Sequence, residues 1–332
     1  MTTNRIDLEN WLPVEYGDEA VQRYAETSAA EQVCRPEPMA ESTKYVPRFT
    51  GFTVGNVAKG AAYAYTDASE DKLFLEARKF GGIGKGANED LNDLMSDPLQ
   101  AMRTEAGSSL ALNLDNSCFS VTAAKNSSTI KFDSVYKVLT TAPVGGSFDD
   151  VLGYTANANR LQITAANFMA SGAGKGYDTL SDLLAKYEVG RFFDPDNTVV
   201  IAHHAFMGYM RKMKNAAGDP LLSQVGVNPL TNKPVYSVFG YTAKFSFGLR
   251  TSATDTSEPT GNPLLIIANK KALRLGKRGL QPDIPADTFG VAFQPSSFGD
   301  GFDSDEWKMK AASRRAFGLA TAFAAAVIEI NG

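Results

Sequence analysis

The residues that could carry chemistry are few and scattered. Gly172-Ala173-Gly174-Lys175-Gly176 has the makings of a phosphate loop, in which backbone amides cradle phosphate, a lysine binds it and a following hydroxyl holds magnesium. The match fails at two positions: Met169 stands where the first glycine belongs and Gly176 where the hydroxyl belongs. A flexible turn is the better reading. Gly81-Gly82-Ile83-Gly84-Lys85-Gly86 lacks dinucleotide-binding spacing and reads as a hinge or a closely packed strand. His203 and His204 are the two histidines of the chain, and as neighbours they project apart, so they cannot share a metal without a special turn. Asp194 and Asp196 flank Pro195 ahead of a strand, which is turn chemistry before it is a cation site. Cys34 and Cys118 carry no local nucleophile signature and read as buried thiols. The densest charge is basic: Lys270, Lys271, Arg274, Lys277 and Arg278 surround Leu273 and Leu275 without interleaved aromatics. Such a strip suits a solvated face or charge pairing between subunits better than a phosphate contact. No catalytic set converges, and no metal or cofactor site is expected.

The chain that must position these groups has 332 residues, 43% hydrophobic and 21% charged, enough for a sizeable core divided between at least two lobes. A net charge of −4 disfavours avid, nonspecific nucleic-acid binding. Two cysteines in so long a chain form no disulfide framework and fit a reducing compartment. The N-terminal residues, with Asp7 and Glu9 and no apolar run, do not read as a secretion signal. The longest apolar stretch, Ala316 to Ile330, is interrupted by Glu329 and falls short of the ~20 residues a spanning helix needs.

Residues 1–44, with Pro13, Pro36 and Pro38 among acids and small residues, read as an arm that orders only by lying on something else. Phe49–Val54 and Lys72–Ala77 read as two arms of a long, glycine-thinned hairpin that needs a neighbouring surface. Asp97, Pro98 and Gln100 form a helix start, and Leu99, Met102, Ala106, Leu110 and Leu114 recur at helical spacing to about Asn116. Between 120 and 175 only Thr129–Phe132 and Leu161–Ile163 suggest strands. Leu180, Leu183, Leu184 and Tyr187 predict a second helix behind Asp178, closed by Gly190. A strand at Thr198–Ala202 and a helix carrying Phe206, Tyr209, Met210 and Met213 follow. Pro234–Val238, Leu264–Ala268 and Ala272–Leu275 are further strands of a mixed lobe over 176–295. Two closing extended runs, Glu306–Gly318 and Ala322–Ile330, are expected to return to the first lobe.

In their order these blocks resemble the major capsid proteins of tailed bacteriophages, with the Hong Kong 97-type fold. The likeness runs through Val46-Pro47 and the extended loop, Asn88-Glu89-Asp90-Leu91 and the Asp97-Pro98 helix. It continues through Val199–His203 and Met210–Gly218, then Pro220-Leu221-Leu222, Pro234-Val235, and closing strands around Arg314–Phe317 and Ala324–Ile328. The resemblance implies an α+β fold with an N-terminal arm (1–44), an extension loop (45–87) and a peripheral domain (88–175) holding a spine helix (96–117). An axial domain (176–295) and C-terminal strands (296–332) that rejoin the peripheral domain would complete it.

The implied function is a shell protein, not an enzyme, that self-assembles as hexamers and pentamers around double-stranded DNA. It would sit in the virion after assembly in the host bacterial cytoplasm, with no membrane contact. The 44 residues before the extended loop are too short for a built-in scaffold, so separate scaffolding, portal and decoration proteins are implied as partners. Lys59, Lys72, Lys79 and Lys85 could supply an amine for covalent cross-linking, but Phe302-Asp303-Ser304-Asp305-Glu306 offers no asparagine acceptor, and none is expected. An encapsulin-like shell around protein cargo is a related alternative. From a different class, an α/β enzyme would use the 176–295 lobe and Lys175 to bind a phosphorylated ligand.

Overall fold

Continuous apolar runs make strands buried on both faces, whereas alternation makes strands with one dry side. Both occur here. The computed structural model describes residues 28–49, 55–62, 70–87, 98–126, 128–170, 174–213, 223–227, 234–279, 290–294 and 305–331.

Helix α1 (Ala29–Val33) opens behind Ser28 and leads into β1 (Arg35–Pro38), β2 (Thr43–Phe49), β3 (Glu70–Glu76) and β4 (Arg78–Ala87). The long helix α2 (Pro98–Phe119) follows. Next come α3 (Val135–Thr140), α4 (Phe148–Val151), β5 (Arg160–Thr164) and α5 (Ala165–Met169). The chain continues as α6 (Gly176–Glu188), β6 (Thr198–Ala202) and α7 (Ala205–Lys212). Strands β7 (Ser223–Val227), β8 (Pro234–Val238), β9 (Tyr241–Phe245), β10 (Leu264–Asn269), β11 (Leu273–Arg278) and β12 (Gly290–Gln294) succeed one another. Two final strands, β13 (Glu306–Leu319) and β14 (Ala325–Asn331), end the described chain.

The first sheet is organised on β13, which pairs antiparallel with β4 along one side and with β11 and then β12 along the other, while β1 adds parallel to β11. The second has seven strands in the order β5-β14-β10-β6-β9-β8-β7. Its central strands feed two cores from opposite faces. Leu264, Ile266, Val199, Ile201, Ala325 and Val327 enter one core, shared with Phe317 and Leu319 of β13 and with Phe119 of α2. Leu265, Ile267, Val200, Ala202 and Ile328 enter another, closed by Leu180, Leu183 and Tyr187 of α6 and by Phe206 and Met210 of α7. The third sheet is the hairpin β2–β3.

Several expectations shift. The hairpin pairs Thr43–Phe49 with Glu70–Glu76, earlier than the Phe49–Val54 and Lys72–Ala77 arms; residues 50–54 lie outside the described residues. Residues 78–87 leave the hairpin and pair with β13 over their whole length. Thr129–Phe132 is not a strand but a loop gathered by Asn126, whose Oδ1 accepts from the amides of Ser128, Thr129 and Ile130, while Ile130 and Phe132 are buried. The two closing strands part company: β13 belongs to the first sheet, but β14 inserts between β5 and β10 of the second. Conversely β11, expected in the second lobe, sits in the first sheet beside β1 and β13. The apolar period of β14, dry on both sides, suits a central strand, whereas the basic residues of β11 suit a sheet with one open face.

Candidate assembly surfaces

The groups singled out for chemistry are dispersed, and each has a local structural task. The Gly174 amide donates to Asp178 Oδ2 at 3.1 Å, so a carboxylate of the same chain occupies the position that an anion would need. Gly176, at φ +38°, lies where a Cβ would fall 2.8 Å from the carbonyl oxygens of Phe168 and Ala170, and residues 171–173 lie outside the described residues. His203 is buried and its Nδ1 accepts from Ala205 N at 3.0 Å. Burial, and then Arg250 beside its Nε2, push its pKa down to about 4. His204 stacks on Phe247 at 4.1 Å, and His203 meets the same ring edge-on at 5.9 Å. Asp194 caps the turn before β6, accepting from Asp196 N, from Asn197 and from Lys271 at 2.9 Å.

Cys34 and Cys118 are free, buried members of one core, and burial pushes both thiols up. Among the described residues no group of three metal-ligating side chains converges. The basic run is partly neutralised within the chain, Lys271 by Asp194 and Arg274 by Glu37 of β1. Of the candidate cross-linking amines, Lys85 pairs with Glu306 at 2.9 Å and Lys59, Lys72 and Lys79 are exposed, while 302–304 lie outside the described residues.

The hairpin presents two unlike faces. Val46 and Leu73 turn inward onto Leu75, Ala77, Met39 and Ala316. Tyr45 and Phe49 turn outward, 61% and 59% exposed, with the Phe74 ring tilted against Tyr45 at 5.2 Å. At its base Arg48 is clamped. It pairs with Asp71 across the hairpin, donates to the Ala320 carbonyl at 2.9 Å and lies over the Phe148 ring. Asp71 also accepts from Phe148 N at 3.1 Å. One end of the hairpin is therefore fixed to the body; on the outer face Lys125 Nζ lies 5.5 Å from the centre of the Phe74 ring, while Tyr45 and Phe49 remain mostly exposed. Exposed aromatics of this kind mark interaction surfaces.

Two buried carboxylates were not legible as sites. Asp115 of α2 accepts from Ser28 Oγ (2.6 Å), Ala29 N (2.9 Å), Ala30 N (2.9 Å) and Ser246 Oγ (2.7 Å), which fixes the start of the arm to the long helix. Burial pushes its pKa up to about 6, against the pull of these donors. Glu329 of β14 gathers Tyr136 (2.8 Å), Arg160 (2.5 Å), Gln162 (3.2 Å) and Asn262 (2.7 Å). The signal for Asp115 was a lone acid on the apolar half of a helix; its four donors come from distant segments and no local spacing reports them.

No family model matches the sequence. No curated protein matches it either. Solved structures do. A chain from Mycobacterium phage Bobi aligns at a TM-score of 0.67 and 13% identity, over 98% of this chain and 97% of that one. A chain from Microbacterium phage Oxtober96 aligns at 0.63 and 15%, over 100% and 99%. The capsid of a native GTA particle computed with C5 symmetry aligns at 0.64 and 12%, over 97% and 96%. These likenesses span both chains almost from end to end, so they are likenesses of complete folds: the chain has the fold of the tailed-phage major capsid proteins.

Proposed function

We propose that the protein is the major shell subunit of a tailed-phage capsid, assembling as hexamers and pentamers of an icosahedral shell around double-stranded DNA. The observation that carries this reading is the end-to-end fold likeness to phage capsids, reinforced by a clamped hairpin whose exposed aromatics find no partner surface among the described residues of their own chain. In this reading residues 1–44 are the arm, 45–87 the extension loop with its paired base ending at Glu76, and α2 the spine of a peripheral domain. The lobe over 176–295 lies around capsomer centres. Separate scaffolding, portal and decoration proteins complete the particle, which forms in the bacterial cytoplasm. A shell task also accounts for a chain in which histidines, thiols and glycine loops all serve local packing.

Size-exclusion chromatography with light scattering, followed by negative-stain microscopy, tests this. Capsomers, tubes or closed shells support it, and nuclease-protected DNA in particles from infected cells distinguishes a phage shell from an encapsulin-like one around protein. A strictly monomeric chain at every concentration and salt, unchanged by co-expression with the neighbouring structural genes, argues against it. Saturable nucleotide binding lost in Lys175→Ala would favour the enzyme alternative.

A further inference from the structure

Sheet register brings together cations that are far apart in the sequence. Arg278 pairs with Arg314 across β11 and β13, and Arg314 pairs in turn with Lys79 across β13 and β4. Residues directly opposite in adjacent strands point to the same face, so three cations stand in one row. Farther along that face Lys310 is exposed beside Ile83, itself 70% exposed, and Lys308 stands opposite Lys85. Among the described residues the hairpin base packs on this face at Ala316 and Gly318, through Leu73 and Leu75.

The neighbouring rows are provided for and this one is not. On the other face Arg78 meets Glu76 at 2.9 Å and buried Arg315 meets Glu31 at 2.8 Å. On the same face Arg274 has Glu37, and at the far end Lys85 has Glu306. Among the described residues no acid pairs with Arg278, Arg314 or Lys79, and Arg278 Nη1 is buried without a hydrogen-bond partner. Like charges directly opposite one another, and a guanidinium donor lacking an acceptor, both destabilise. An anionic occupant removes both costs.

The chain carries such an occupant. Residues 1–27 contain Asp7, Glu9, Glu15, Asp18, Glu19 and Glu26 against Arg5 and Arg23, which accounts for the entire net charge of −4 and leaves the rest of the chain neutral. Ile6, Leu8, Trp11 and Leu12 interleave with the acids and suit the exposed Ile83, for which a phosphate backbone has no counterpart. Ser28, where this segment joins the body, is held by Asp115 on the α2 side of the sheet. Twenty-seven extended residues reach up to about 90 Å, against roughly 5 Å between adjacent strands, so length is no obstacle. We propose that residues 1–27 dock as an acidic, partly apolar strap on the cationic face of β4, β13 and β11.

Zero-length carbodiimide coupling of carboxylates to amines on the full chain, read by mass spectrometry, tests this whether or not the subunits assemble. The expected products join the acids of residues 1–27 to Lys79, Lys85 and Lys310. Mixing isotopically light and heavy protein shows whether the strap belongs to the same or a second copy, and either bears the proposal out. Coupling of these lysines solely to acids beyond residue 27 overturns it. In the double variant Lys79→Glu/Lys310→Glu, both sites being exposed, limited proteolysis is expected to release the N-terminal segment several-fold faster than in wild type. An unchanged rate also overturns the proposal. So do lysines that stay uncoupled in the free chain and become shielded only when a short DNA duplex is added, which would assign the face to nucleic acid.

Discussion

Asp115 holds a charge in the core with four donors, none of them cationic. Truncation in Asp115→Ala strands those donors, two of them backbone amides of α1, and is expected to cost about 3 kcal/mol of unfolding free energy in urea titrations. The pH dependence has a definite sign. The folded carboxyl titrates near 6 and the unfolded one near 3.8, so between these values the folded state holds a proton that the unfolded state lacks. This group's contribution to stability therefore falls as pH rises through that window and is smallest above it. Asp115→Asn has no such proton, so its destabilisation relative to wild type should be larger at about pH 4.5 than at pH 7, by on the order of 2 kcal/mol. Equal values at the two pH points would show that the carboxylate is already ionised throughout. The motif candidates were readable at this scale because they failed locally: a missing glycine and a missing hydroxyl are visible in the sequence, as is a turn built on Asp194. The Asp115 and Glu329 nodes were not, since their partners lie up to 193 positions away.

At the scale of elements, the close approach of β4 to its neighbours explains Gly81, Gly84 and Gly86 but not Gly82. A Cβ on Gly86 would lie 2.7 Å from the Trp307 ring, whereas one on Gly82 meets nothing within 4 Å. Gly86→Ala is expected to destabilise by about 1–3 kcal/mol through overpacking, and Gly82→Ala to be neutral or stabilising by a few tenths through loss of unfolded-state freedom; thermal melts of the two variants check the contrast. The hairpin gives a second test. Because Tyr45 and Phe49 of its outer face stay mostly exposed, deleting residues 56–70 should leave a folded subunit with a near wild-type melting transition that forms shells poorly. Normal shells at wild-type yield would assign the loop no part in assembly. Helices α6 and α7, with a clean apolar period, were legible from the sequence, as were α2, through the proline at its start, and the strands β6, β8 and β10. Helices α3, α4 and α5 were not: each spans six residues or fewer, too short to show a period, and α3 and α5 depend on the hydroxyl caps Ser134 and Thr164.

For the whole molecule, the sequence indicated two lobes and an α+β chain, and the resemblance supplied their type. It could not show which strands share a sheet. Both β11 and β14 are flanked by strands on each side, and a strand's own residues do not name its neighbours, so each was assigned to the other's surroundings. The charge balance is also a property of the whole: a neutral body and an acidic N-terminal segment are invisible in a net value of −4.

The insertion of β14 between β5 and β10 has a consequence for synthesis. Every partner of this strand leaves the ribosome before it does, and β5 has no place in the seven-stranded sheet until residues 325–331 arrive to join it to β10. β1 waits in the same way for β11, more than two hundred residues downstream. Nascent chains thus spend most of translation with two open strand edges, a state prone to chaperone capture and aggregation. A chain stopped at residue 320 is expected to be insoluble or rapidly proteolysed while the 332-residue chain is not, so that the arrival of β14 itself licenses the subunit for use.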